Sequence, residues 1–139
     1  NDDMKKPVAS VDLIIKRKDK ILLGKVSDKW NINGKYEWGL PGREIEFGDD
    51  FEKTAEKNLR EELGMKLKSF EVISVNNNFG FGNHYIAIGI LVEAEGEPRI
   101  KKSDWVEWRW FDKSKIPNRL FPSAKLTIES FLENKASVE

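Results

Sequence analysis

Apolar and polar positions alternate along this chain in blocks whose period changes several times. Residues 8–15 (VASVDLII) and 21–26 (ILLGKV) are β-branched-rich apolar runs on either side of the polar turn 16–20, and they predict a β-hairpin. Residues 27–36 are polar, contain Asn31, Asn33 and Gly34, and read as a surface loop leading into the short segment Trp38-Gly39-Leu40-Pro41-Gly42. The period then becomes helical. Phe51, Ala55, Leu59 and Leu63 recur every four residues as one core-facing stripe, and Asp49 and Glu52 have the spacing of a capping box. Gly64 is placed to end that helix in the left-handed conformation. Strand patterning returns over 67–77 and 84–94, with Gly80 to Gly82 between them, which predicts a long hairpin. Residues 105–111 (WVEWRWF) read as a further strand, and 122–132 as a closing helix with Ala124, Ile128, Phe131 and Leu132 on one face. The expected fold class is α/β of the α+β type, a mixed or antiparallel sheet sandwiched between helices, because the strands come in hairpin pairs.

Length and charge narrow the function. The 139 residues suit a single domain, 1–139, with one core and no internal repeat. Lys plus Arg and Asp plus Glu both total 24, a balance that argues against a nucleic-acid or membrane partner and leaves a small anionic ligand held through a metal. The absence of cysteine excludes disulfides, thiolate nucleophiles and Cys-based zinc sites, and fits a reducing, cytoplasmic location. The start of the chain, 1–6, is polar, and no apolar run approaches the roughly 18 to 20 residues that cross a bilayer, so neither secretion nor anchoring is expected.

Candidate chemistry lies on the first helix. Glu61 and Glu62 follow Asn58 by three and four positions, so the three side chains project over neighbouring turns toward a cleft. Two carboxylates joined by a backbone carbonyl from the preceding loop are the hard ligands that Mg²⁺ or Mn²⁺ prefers, with waters and substrate phosphates completing the shell. By spacing alone the plainer reading prevails, that of solvated helix charges with Lys57 paired to Glu61. The neighbourhood changes that balance. Trp38-Gly39-Leu40-Pro41-Gly42, Glu46-Phe47-Gly48-Asp49 and Arg60-Glu61-Glu62-Leu63-Gly64 together resemble the Nudix box of the MutT family, here over about 42–65. Leu22-Leu23-Gly24-Lys25, His84-Tyr85 and Trp108-Arg109-Trp110-Phe111 followed by Pro117 extend the resemblance over nearly the whole chain.

The resemblance implies a Nudix fold and a hydrolase in which Glu61 and Glu62 ligate Mg²⁺, or Mn²⁺ in its place, with the Gly42 carbonyl as a backbone ligand. It also implies that Asp49 caps the helix and supports the metal site. Three positions depart from the pattern: Arg43 for the second glycine, Lys57 for arginine and Asn58 for the first glutamate of the metal-binding trio. An amide oxygen ligates Mg²⁺ but takes no proton from water, and a lysine cannot reproduce a bidentate guanidinium fork. The GDP-mannose mannosyl hydrolase branch also lacks that glutamate. Its late-loop metal ligand matches Asp104, whereas its catalytic histidine matches Trp105. Leu40-Pro41, Glu46-Phe47-Gly48 and Leu120-Phe121 resemble nucleoside triphosphate diphosphatases instead.

Hydrolysis of a nucleoside triphosphate or related nucleoside diphosphate derivative is thus expected first. GDP-sugar hydrolysis is the alternative, and a catalytically weakened nucleotide-binding domain the third reading. Glu61, Glu62 and Asp104 are the catalytic candidates, with Gly42, Glu61, Glu62 and Asp104 as metal ligands. Asp104 and Glu107 are each a base, a ligand or a plain surface charge. Arg43 either contacts a phosphate or points to solvent. Phe79, beside the run 76–78 of asparagines, is a stacking candidate ahead of Trp30 and Phe81. His84, the one histidine, joins Arg43 and Phe79 as a substrate-binding candidate, although a lone strand histidine is more often a packed one. Family members are often dimers, so a homodimer is among the expected states.

Overall fold

A computed structural model describes residues 5–133 and 137–138. Along the chain run β1 (Val8–Arg17), β2 (Lys20–Val26), β3 (Trp38–Gly39), β4 (Gly42–Glu44), α1 (Phe51–Asn58), β5 (Lys66–Asn78), β6 (Tyr85–Glu95), β7 (Trp105–Asp112), α2 (Pro122–Leu132) and β8 (Ser137–Val138). The sheet is mixed. β5 and β6 form the expected long antiparallel hairpin, from Lys66 opposite Glu95 to Asn78 opposite Tyr85. β1 and β2 meet only at their turn, where Lys16 faces Ile21 and Arg17 faces Lys20. They then part. β1 lies parallel to β6 from Val8 opposite Tyr85 to Ile15 opposite Val92, while β2 pairs antiparallel with β7.

This splitting explains why β1 reads as a nearly continuous apolar run, since a strand covered on both faces needs apolar side chains on both. Val11, Leu13 and Ile15 pack with Ala55, Leu59 and Leu63 beneath the first helix. Ile14 packs on the other side with Leu23, Trp38, Leu40, Ala124 and Ile128 beneath α2. Leu132 is an exception to the expected stripe, because at the last turn of α2 it is 46% exposed.

The first helix begins differently from the expectation and widens before its end. Its cap is Asp50, whose extended backbone lets Oδ1 accept from the Lys53 N–H at 2.8 Å. Asp49 instead contacts Lys57 Nζ at 2.6 Å. After Asn58 the helix widens into a π-helical turn, Leu59–Leu63, in which the Gly64 N–H is directed to the Leu59 and Arg60 carbonyls, and the Met65 N–H also donates to the Leu59 carbonyl at 3.1 Å. Gly64 ends it at φ 69°, as expected. Among the described residues no helix is long and apolar enough to cross a membrane.

Candidate active site

A cleft of about 280 Å³ opens between β1, β3 and the start of α2, with Asp12, Leu40, Gly42, Glu62, Asp104 and Trp105 in its wall. Its floor depends on a close backbone approach. Gly42 on β4 stands opposite Asp12 on β1, and a side chain there would collide with the Val11 carbonyl and lie 2.9 Å from Asp12 Oδ1. Asn58, at the end of α1 and 3% exposed, donates from Nδ2 to the Gly42 carbonyl at 3.1 Å and to Glu62 Oε1 at 3.2 Å. Its own Oδ1 is buried without a hydrogen-bond partner among the described residues. One carboxylate, one backbone carbonyl and one amide are therefore gathered at a single point. Among the described residues no three carboxylate or imidazole side chains converge in that way.

The carboxyls of the cleft fall into two electrostatic kinds. Glu62 is 8% exposed, and burial pushes its carboxyl above the ordinary range, with Trp105 and Asn58 acting in the opposite direction. The Trp105 indole N–H is itself buried and stops short of a hydrogen bond. Asp12 is pushed by burial up to about 6, even though Ser123 and Thr127 on α2 direct their hydroxyls to its Oδ2. Asp104 is the opposite case. The Trp30 indole N–H at 3.0 Å and Lys29 at 3.1 Å hold its carboxyl below the usual range, so it is a fixed charge on the rim and a weak proton acceptor.

The pattern described as NUDIX domain matches residues 5–131. The chain belongs to the NUDIX family. Among its relatives, an ADP-ribose pyrophosphatase of Methanocaldococcus jannaschii is 29% identical over 122 residues, covering 86% of this chain and 70% of that protein. The MutT NUDIX hydrolase of Burkholderia pseudomallei superposes with a TM-score of 0.79 at 24% identity, over 91% of this chain and 98% of that one. An ADP-ribose pyrophosphatase of Streptococcus suis gives 0.73 at 20% identity, over 96% and 100%. The mixed sheet between two helices is the Nudix fold, and the protein is a Nudix hydrolase.

Within the Nudix box, the three departures all touch its acidic groups. Arg43 bridges Glu61 Oε1 and Glu46 Oε1, each at 3.0 Å, so it neither points freely to solvent nor stands free for a phosphate. Lys57 sits 2.6 Å from Asp49 and 3.6 Å from Glu46 rather than on Glu61, the partner that i,i+4 spacing suggested. Arg43 holds the Glu61 carboxyl below its usual range, and Glu61 is not part of the cleft wall.

The remaining candidates lie apart from the cleft. Phe79, 68% exposed, stacks on His84 with ring centres 4.5 Å apart, and His84 Nε2 is 2.8 Å from Asn77 Oδ1. This cluster adjoins Val8, four residues along β1 from Asp12, or roughly 13 Å at strand rise. Glu107 is paired with Arg109 at 2.6 Å, outside the cleft wall. Phe81 has no described side chain.

Two residues of the cleft escaped the sequence reading. Asp12 carried a signal, as the single carboxylate inside a strand otherwise apolar on both faces, where an uncompensated charge is costly. Ser123 carried none, because a serine early in a helix is ordinary. Gly24 explains how Trp105 reaches the site: a side chain there would strike the Trp105 and Trp108 rings, so its absence lets both indoles lie on β2.

Proposed function

We propose that this Nudix hydrolase uses a divalent cation, Mg²⁺ or Mn²⁺, to hydrolyse a nucleoside diphosphate-linked substrate by attack of water at phosphorus. The convergence of the Gly42 carbonyl, Glu62 and Asn58 carries the reading. These are hard oxygen donors of the type such ions take, and the partnerless Asn58 Oδ1 is a buried acceptor that a cation would satisfy. Glu61 adds a second carboxylate only by leaving Arg43. The names of the relatives, which include ADP-ribose pyrophosphatases, support a nucleoside diphosphate as the part recognised.

A cation held there supplies neutralisation of charge developing on the phosphates. The protein's own groups do the rest. Trp105 and Phe121 offer flat apolar walls, and Asp12, its Oδ2 held by Ser123, lines the cleft as a carboxyl. Asp12 and Glu62 are the cleft carboxylates without an ion-pair partner among the described residues, and both have carboxyls raised by burial. One of them takes the proton of the attacking water.

Hydrolysis at a sugar's anomeric carbon, the alternative, has less support. Trp105 occupies the position of that branch's histidine, and an indole N–H only donates. A panel of nucleoside triphosphates, ADP-ribose and GDP-mannose, assayed with Mg²⁺ and Mn²⁺, separates the readings by products. Release of a nucleoside monophosphate supports attack at phosphorus. GDP plus free sugar supports the alternative, and tight nucleotide binding without turnover supports the non-catalytic domain.

A further inference from the structure

We propose that the Asn58 carboxamide is a two-position latch on this site: its NH₂ clamps the Gly42 carbonyl to Glu62 when no cation is present, and its oxygen takes that place as a neutral ligand when one enters. The latch rests on the metal reading above and adds the residue that gates it.

The amide is 3% exposed, and both Nδ2 protons are engaged, at 3.1 Å on Gly42 and 3.2 Å on Glu62. The opposite orientation would set Oδ1 against two other oxygens, which repel it unless a cation lies between them. The orientation seen therefore belongs to the metal-free protein, and it leaves Oδ1 buried and partnerless. That is costly for a buried acceptor, and the cost is relieved in the other position. The torsion that exchanges the two atoms is broad and roughly twofold in asparagine, so no backbone movement is needed.

A glutamate cannot serve both states, since it gives no proton to the Gly42 carbonyl and places a second negative charge against Glu62. The surroundings suit the latch. Arg43 and Lys57 hold Glu61, Glu46 and Asp49 in ion pairs, so these three acids are engaged away from the point where Asn58 meets Gly42 and Glu62. Binding a cation there must first break two hydrogen bonds, which makes the site weaker than a three-carboxylate one but keeps the empty site packed.

The test uses the full chain, ¹⁵N-labelled, with Mg²⁺ as the probe, alongside Asn58→Ser and Asn58→Asp. The Asn58 side-chain NH₂ signals, identified by their absence from Asn58→Ser, should be protected from exchange without metal, and should move and lose protection at saturating Mg²⁺. By calorimetry Asn58→Asp should bind Mg²⁺ at least ~10-fold more tightly, because ligand charge sets affinity at such sites. Without metal, Asn58→Asp should melt below the parent, and saturating Mg²⁺ should close the gap. Mg²⁺ binding that leaves the NH₂ signals in place overturns the latch while sparing the metal reading, and this readout stands whether or not Asn58→Asp folds. So does a folded Asn58→Asp that binds no more tightly than the parent. Failure of both the parent and Asn58→Asp to bind Mg²⁺ at millimolar concentration overturns the metal reading and the latch with it.

Discussion

Glu61 and Glu62 are adjacent in sequence, yet they stand in two regions of opposite character. Glu61 belongs to the outer face of the box, a row of ion pairs in which Arg43 and Lys57 hold Glu61, Glu46 and Asp49. Glu62 faces the cleft with Asp12, where no cation among the described residues pairs with either and burial raises both carboxyls. One step along a helix turns a side chain by about 100°, enough to move it from solvent to the interior. The difference is one of electrostatics. The outer acids are paired by the chain itself, whereas Glu62 and Asp12 line the cleft with carboxyls raised by burial.

The comparison is broken most severely at its inner member. Glu62→Gln should lower kcat by ~100-fold or more, because it removes the one carboxylate at the convergence point. The melting temperature should stay at or above the parent value, since a buried charge is removed. Steady-state kinetics beside a thermal melt checks both, and a kcat within a few-fold of the parent would remove Glu62 from the site.

Asp12 is the next lever. Its carboxyl titrates near 3.8 when unfolded and at about 6 when folded, so between those values the native state binds more protons. Stability should therefore fall as pH rises from about 4 to 6, with the full penalty present above that window. Two pKa units correspond to roughly 3 kcal/mol, and Asp12→Asn should recover about 1–3 kcal/mol at pH 7 and flatten this part of the profile. Denaturant unfolding at pH 4 and pH 7 measures it, and an unchanged profile would show that Asp12 is not the titrating group.

The smallest effect is expected at the outer face. Arg43→Gln releases Glu61, and the stability change should be the smallest of the three and shrink further in high salt. The parent's Glu61 carboxyl lies below its usual range, so its contribution is present above the unfolded pKa and disappears as pH falls through the folded one. Urea unfolding at low and high salt tests the pair. A loss as large in size as the gain expected at Asp12 would mean the two regions are not as separate as the geometry indicates.

Much of this is legible in the sequence. Periodicity placed β1, β2, the long β5–β6 hairpin, β7 and both helices, because each must bury one face or two and its apolar spacing records which. The box located Gly42, Glu62 and the Gly64 stop, since each answers a local requirement: a close backbone approach, a cleft-facing helix position and a left-handed residue. Asp12 was legible only as a lone carboxylate in an apolar strand and Ser123 not at all, because a residue on β1 meets one on α2 only after more than a hundred intervening residues have folded between them.

Local order along the chain, and with it the family, was settled by the sequence itself. Pairing across the chain was not. The parallel contact of β1 with β6, the π turn that carries Glu61 and Glu62, the transfer of the cap from Asp49 to Asp50 and the partners of Arg43, Lys57 and Asn58 belong to the tertiary structure. Side-chain spacing reports which faces are buried, but a hydrogen bond or ion pair depends on where a few polar atoms stand to within an ångström, and only the packed fold decides that.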